Sequence, residues 1–268
     1  MWQVQTIDGN LIREIAEKMN VVNDEKLDLL AHRLQRAAGV TILTGAGVSA
    51  ASGVPTFRGN GGLWRQFRAE DLATPGAFNR DPVLVWEWYA WRRELIAACR
   101  PNAAHEVIAR WSKAFERCTV ITQNVDDLHV QAGTENLLRV HGSLWELSCW
   151  QACGASTWRD ESVPLQTLPP SCPACRGLAR PGVVWFGESL PTRELEAAAA
   201  ACDCDVFLTV GTSALVYPAA GLVHEAKRRG AFTAELNLEV TAASAEVDLA
   251  IHGPADELLP NISRRITP

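Results

Sequence analysis

The sequence predicts an α/β fold: a doubly wound parallel sheet joined to a smaller unit of helices and a metal-stapled ribbon. Three observations predict it. Short β-branched runs alternate with longer helical stretches, the pattern of a parallel sheet covered on both faces. A glycine-rich turn follows directly on the first such run. Four cysteines in two close pairs interrupt the alternation, in a proline-rich segment with little periodicity.

The elements follow in order. Residues 24–37 place Leu27, Leu29, Leu30, Leu34 and Ala37 near helical spacing, with Asn23 or Asp24 as the cap. Val40 to Thr44 reads as a buried strand. Residues 83–98 and 102–116 read as helices, parted by Arg100-Pro101-Asn102. Cys118 to Thr122 is the next strand, and Leu137 to Val140 a short one. Residues 145–181 hold the cysteine pairs with Pro164, Pro169, Pro170, Pro173 and Pro181, and read as an inserted module. Val183 to Phe186 reads as an apolar strand running into Gly187. The alternation then resumes. Asp205 to Val210 is a strand, Pro218 to Arg229 a helix and Phe232 to Leu238 a strand. Glu246 to Ile251 is the last strand, before a C-terminal helix. The expected large unit is residues 24–52, 96–144 and 182–264. The expected small unit joins a helical insertion, 53–95, to the cysteine module, 145–181.

A chain of 268 residues buries a sizeable core. Its composition, 47% hydrophobic and 21% charged, is that of an ordinary globular protein. A net charge of −6 argues against broad nucleic-acid binding and is compatible with basic partners. No apolar run spans a bilayer, so no membrane partner is expected. Acidic residues from Asp8 to Glu25 break any secretory pattern, and a cytoplasmic location is the expectation. In a reducing compartment Cys149, Cys153, Cys172 and Cys175 read as metal ligands, and Cys99, Cys118, Cys202 and Cys204 as packed thiols.

Several residues carry chemistry. Gly45, Ala46, Gly47 and Ser49 follow a strand, where glycines let backbone N–H groups approach a phosphate. The continuation departs from the ordinary dinucleotide fingerprint: a second Gly/Pro loop with Phe57 and Arg58 follows, in place of a long helix. Gln123, Asn124 and Asp126 also lie just past a strand, facing the ligand crevice of such a sheet. Asp126 and Asp127 could instead cap the next helix, Asp127 being the better candidate. His141 ends a strand with a side chain suited to base chemistry near neutral pH. His32, His105, His129, His224 and His252 read as structural, although His129 shares the Asn124 motif. Cys149-x-x-x-Cys153 and Cys172-x-x-Cys175, eighteen residues apart, suit a closed tetrahedral zinc site. The three-residue gap departs from the commoner two. Gly211, Thr212 and Ser213 end one strand, and Asn237 the next. Tyr89 and Arg92, three apart on a helix, share a face. Trp86, Trp88 and Trp91 beside them could crowd that face or pack the core.

These blocks, in this order, resemble the sirtuin family of NAD-dependent protein-lysine deacylases. The resemblance runs through Gly45–Gly59, Thr122–His129, His141-Gly142, the four cysteines, Val184–Glu188, Gly211–Ser213 and Leu236-Asn237. It implies that NAD is a co-substrate and that one structural zinc is bound. It implies that Phe57 covers the nicotinamide and Arg58 reaches pyrophosphate or ribose oxygens. His141 becomes the base on a ribose hydroxyl, with Asn124 and Asp126 beside the nicotinamide ribose. Val184, Trp185, Phe186, Gly187 and Glu188 pair with the substrate backbone as a strand. Tyr89-x-x-Arg92 and the small Ala73 are similar to the signature of class III sirtuins, which remove succinyl, malonyl and glutaryl groups. The implied substrates are acyl-lysine proteins or peptides. The implied reaction gives nicotinamide and O-acyl-ADP-ribose. The alternatives are a protein that is mainly a deacetylase, or a mono-ADP-ribosyltransferase on the same scaffold.

Overall fold

The computed structural model describes residues 23–55, 67–213 and 215–266. Phe57 and Arg58 lie outside them. The chain begins with α1 (23–35), β1 (Gly39–Thr44) and a 3-10 turn at Ala46–Ser52. Four helices follow: α2 (Ala69–Leu72), α3 (Pro75–Arg80), α4 (Pro82–Ala97) and α5 (Ala103–Ala114). Next come β2 (Arg117–Thr122), α6 (Leu128–Gln131), β3 (Leu137–Arg139), β4 (Gly142–Cys149), β5 (Trp158–Arg159) and β6 (Ala179–Val183). The last part is α7 (Thr192–Ala200), β7 (Val206–Val210), α8 (Leu222–Arg228), β8 (Phe232–Asn237), β9 (Leu249–His252) and α9 (Ala255–Arg265).

β1 shows why the main sheet is covered on both faces. All its residues are buried. Val40 and Ile42 enter one core with α1, α5 and α9, while Leu43 enters another with α7 and α8. Successive strand side chains point to opposite faces, so a strand apolar at both needs two layers of cover. The six strands run β3-β2-β1-β7-β8-β9, all parallel. The order reverses between β1 and β7. A crevice opens outside the strand ends at such a reversal, here beyond Thr44 and Val210.

A second sheet, β5-β4-β6, is antiparallel. Its inner face packs on α2, α3 and α4 through Leu144, Trp145, Leu147, Phe78, Val85 and Trp86. It spans Gly142 to Val183, wider at both ends than the expected module of residues 145–181.

Three helices start on legible caps. Thr74 and Asp81 each precede a proline and accept from Ala77 N and Leu84 N at 3.0 and 2.9 Å. Asn102 accepts from Ala104 N at 2.9 Å. Its amide also donates to Val48 O at 2.9 Å and Ser52 Oγ at 3.0 Å, tying α5 to the turn after β1.

Some boundaries differ from expectation. The last strand begins at Leu249, not Glu246, because the preceding loop winds onto buried Glu235. The Thr241 and Ser244 hydroxyls both donate to that carboxylate. The helix expected from Pro218 opens as a 3-10 turn at Ala219–Gly221. The strand expected at Val183–Phe186 ends at Val183. Beyond it Val184 N–H turns to His141 O at 3.0 Å and Phe186 N–H to Ala73 O at 2.9 Å. Asp127 does not cap α6. Leu128 N–H bonds instead to Asp126 Oδ1 at 2.9 Å. Asp127 has φ 61 and pairs with Arg159 at 2.9 Å and Arg139 at 3.4 Å.

Asn102→Ala should lower stability by about 1–2 kcal/mol, the upper range for a lost N-cap. Asn102→Asp keeps the acceptor and loses both donations, so its urea midpoint should fall between the other two. An alanine variant with an unchanged midpoint would refute this role.

Candidate active-site cleft

The crevice at the strand reversal is a cleft of about 930 Å³. Its floor is backbone. Gly45 N–H donates to Val210 O at 3.1 Å and Gly47 N–H to Gly211 O at 2.8 Å. A Cβ on Gly47 would sit 2.8 Å from Gly211 Cα, and one on Gly45 2.8 Å from Thr212 Cα. Gly211 has φ +59, and a Cβ there would meet Val48 N at 2.4 Å. The glycines are thus required first by the contact between two strand-end loops. Room for a phosphate follows from that contact.

Behind this floor lies a knot of polar groups. Ser49 is fully buried and is not part of the cleft wall. Its hydroxyl donates to Asp126 Oδ2 at 2.8 Å and accepts from Asn124 Nδ2 at 3.1 Å. Asn124 Nδ2 also bonds Gly45 O at 3.2 Å. His105 Nδ1 accepts from Asn102 N–H at 3.3 Å, so Nε2 carries the proton toward Ser49 Oγ, 3.3 Å away. Burial holds the His105 imidazole down at about 4 and that of His129 at about 3, so both stay neutral. Their rings pack at 4.8 Å, and His129 Nε2 lies 3.0 Å from Thr44 Oγ1. Burial raises the Asp126 carboxyl, and neighbouring Asp127 adds to this; hydrogen bonds from Leu128 and Ser49 oppose it, as does the charge of Arg92. From sequence His105 reads only as structural; no spacing signal marks its place behind Ser49.

His141 lines the cleft. Its Nδ1 is 3.0 Å from the Gln123 carbonyl. A carbonyl only accepts, so Nδ1 holds the proton and Nε2 is the basic nitrogen. Burial lowers its pKa below the usual 6.5, against the opposing carbonyl bond. Gln123 Nε2 donates to Thr212 Oγ1 at 2.9 Å, and Asn237 Nδ2 to Thr212 O at 2.8 Å. These bonds join three strand ends. Gly45, Ala46, Gly47, Gln123, Asn124, Asp126, Gly211, Thr212, Ser213 and Asn237 all line the same space. Exposed apolar Leu215, Tyr217, Leu238 and Val240 stand at its margin. They occupy irregular loops, where periodicity gives no signal.

The other end of the cleft is aromatic. Tyr89 and Arg92 are 1% and 8% exposed, not on a solvent face. The Arg92 guanidinium lies 4.9 Å from the Trp88 ring centre and 5.8 Å from that of Tyr89. Burial holds Arg92 down at about 10 and pushes the Tyr89 phenol up to about 12. Trp88 and Ala73 also line this end, whereas Trp86 is a core residue whose indole donates to Ala179 O at 2.8 Å. Val184, Trp185, Phe186, Gly187 and Glu188 form the facing wall. The N–H groups of Val184, Trp185 and Phe186 are all bonded within the chain. Neighbouring Arg93 is 1% exposed, pairs with Asp160 at 2.8 Å and lies 5.1 Å over Trp145. The Trp145 indole donates to the main-chain oxygen of Asp126 at 3.2 Å.

The sulfur atoms of Cys149, Cys153, Cys172 and Cys175 lie within 4.8 Å of one another. Cys149 and Cys175 are 3.6 Å apart, Cys153 and Cys172 3.7 Å. Tetrahedral zinc at about 2.3 Å from each sulfur needs separations of about 3.8 Å, so the cluster fits that ion. The extra residue of the first pair is absorbed in a left-handed turn, Ala152 at φ 48 followed by Gly154 at φ 87. A closed four-thiolate site leaves no open position, so the metal would be structural.

The Sir2 family profile matches residues 45–218. A relative from Aquifex aeolicus, named NAD-dependent protein deacylase, is 48% identical over 211 residues, covering 78% of this chain and 87% of that protein. A second from Pseudomonas aeruginosa, NAD-dependent protein deacylase 1, is 47% identical over 244 residues, covering 88% and 97%. A crystal structure of a Sir2 homologue–NAD complex superimposes with a TM-score of 0.83 at 42% identity, covering 89% of this chain and 94% of that one. The chain belongs to the Sir2 family.

Protein purified without added metal should carry one zinc per chain. Chelation should melt the antiparallel sheet first, read in the near-ultraviolet signal of Trp145, Trp150 and Trp158. Metal content near zero in folded protein would remove the assignment.

Proposed function

We propose that this protein removes acyl groups from protein lysine at the expense of NAD, and favours groups ending in a carboxylate, succinyl, malonyl or glutaryl, over acetyl. Family membership supports the class, an NAD-dependent protein deacylase with NAD as co-substrate. One observation carries the acyl preference: Tyr89 and Arg92 are buried together in the cleft wall. A buried guanidinium beside a phenol suits a carboxylate, since both groups donate and one is cationic. Ala73 keeps that end wide. In this reading a large unit (24–52, 96–144, 182–264) holds the dinucleotide. A small unit (53–95, 145–181) carries the acyl end.

The residues present fit a dinucleotide. Gly45–Gly47 and Gly211–Ser213 offer close backbone approach at the strand reversal, and Asn237 ends the next strand. NAD supplies the electrophilic ribose carbon and a leaving nicotinamide. The chain supplies alignment and proton handling. Asn124 commits its N–H groups to Gly45 and Ser49, which leaves Oδ1 to accept from a water or hydroxyl. Asp126 is oriented by Ser49, Leu128 and Trp145. His141 takes a hydroxyl proton on Nε2 and passes its developing charge toward the Gln123 carbonyl. An incoming acyl-lysine chain meets no free N–H on Val184, Trp185 or Phe186, so pairing there uses other groups of that wall.

His141→Ala should cut deacylation by about 10²–10⁴-fold with NAD still bound. The neutral imidazole is the base, and its pKa is lowered. Activity should therefore persist below pH 6.5 and fall only as pH drops through that lowered value. An acid limb in kcat/KM centred above 7 would exclude His141 as its source.

Arg92→Met should lower kcat/KM for a succinyl peptide by at least about tenfold. Acetyl-peptide turnover should change much less, whereas a folding defect would depress both. A wild type that processes acetyl peptides and ignores succinyl ones would end the acyl assignment.

A further inference from the structure

We propose that Trp185 is a specificity-determining residue: it fixes the Tyr89 hydroxyl as a donor, so the pocket rejects acyl tails that end in a neutral carboxamide. The proposal rests on the acyl-pocket reading above.

The argument starts from the indole. Trp185 Nε1 lies 2.9 Å from Tyr89 Oη, in a buried contact. An indole N–H only donates, so the phenol oxygen accepts. The hydroxyl hydrogen must then go elsewhere, and no described residue accepts it. Tyr89 lines the cleft and is 1% exposed, so a ligand tail in the cleft can supply that acceptor. Arg92, on the same face, has only donors. Two donors side by side match the two oxygens of a carboxylate. They meet a carboxamide badly, because its NH₂ finds no acceptor.

The indole itself is held hard. The Arg180 guanidinium lies 3.7 Å over its ring centre. Arg180 grips both oxygens of Glu188 at 2.6 and 2.8 Å, and Glu188 Oε2 accepts the Trp185 backbone N–H at 2.8 Å. Phe78 and Trp150 pack on it with ring centres 5.3 and 6.1 Å away. Trp185 therefore cannot swing aside to let Tyr89 accept from a ligand.

The test compares peptides carrying succinyl-lysine and succinamyl-lysine, equal in length and differing in the terminal carboxamide. The readout is the ratio of kcat/KM for the two on each variant, which does not depend on the folded fraction. Wild type should favour succinyl strongly. Trp185→Phe frees the phenol oxygen to accept an amide N–H, so the ratio should fall by at least about fivefold. Tyr89→Phe leaves the indole in place and should lose discrimination too. The double variant should match Tyr89→Phe alone, because Trp185 acts through that hydroxyl. An unchanged ratio in Trp185→Phe, or equal losses with and without Tyr89, overturns the proposal and leaves the acyl pocket standing. A wild type with no preference for succinyl over acetyl overturns both.

Discussion

The backbone of Gly47 donates to Gly211 at 2.8 Å, and no side chain fits between the two loops that carry them. That contact fixes how the ends of β1 and β7 meet at the strand reversal. The polar groups at this end of the cleft are arranged around it. Asn124 reaches across to the Gly45 carbonyl, Ser49 stands behind, and Gln123 spans to Thr212. A bulkier residue at any of the three glycines would part the loops and displace those bonds together.

The polar knot beneath the floor is buried, and its groups bond one another, except for Nδ1 of His129, which has no partner. Buried polar groups are costly when unpaired and rigid when paired. Ser49 hydroxyl makes bonds to three side chains at once. Neutral His105 and His129 bring no charge to this interior. The charges on the cleft wall come instead from residues such as Asp126, Glu188 and Arg92, beside His141, whose pKa burial lowers.

Much of this arrangement was legible in the chain. Strand alternation predicted the parallel sheet, and the residues just past β1, β2, β7 and β8 do meet in one space. The cysteine spacing predicted a cluster that closes. Other features depend on tertiary contacts that no local pattern encodes. Periodicity cannot show that Arg93 lies over Trp145, or that Trp185 leaves the strand to bond Tyr89. Asp127 looked like a cap because caps are local; instead it answers to two arginines from separate strands. Ser49 likewise stands beside the glycines in sequence, but its bonds to Asp126, Asn124 and His105 reach residues far along the chain.

β4 runs from Gly142, directly after His141, to Cys149 of the thiolate cluster. Midway along it the Trp145 indole holds the Asp126 carbonyl. The strand is a tie-rod, pinned at its far end by the metal ligands and at its near end by the cleft. The sulfur cluster thus lies one strand away from groups it never touches, His141 at one end and the Asp126 backbone midway.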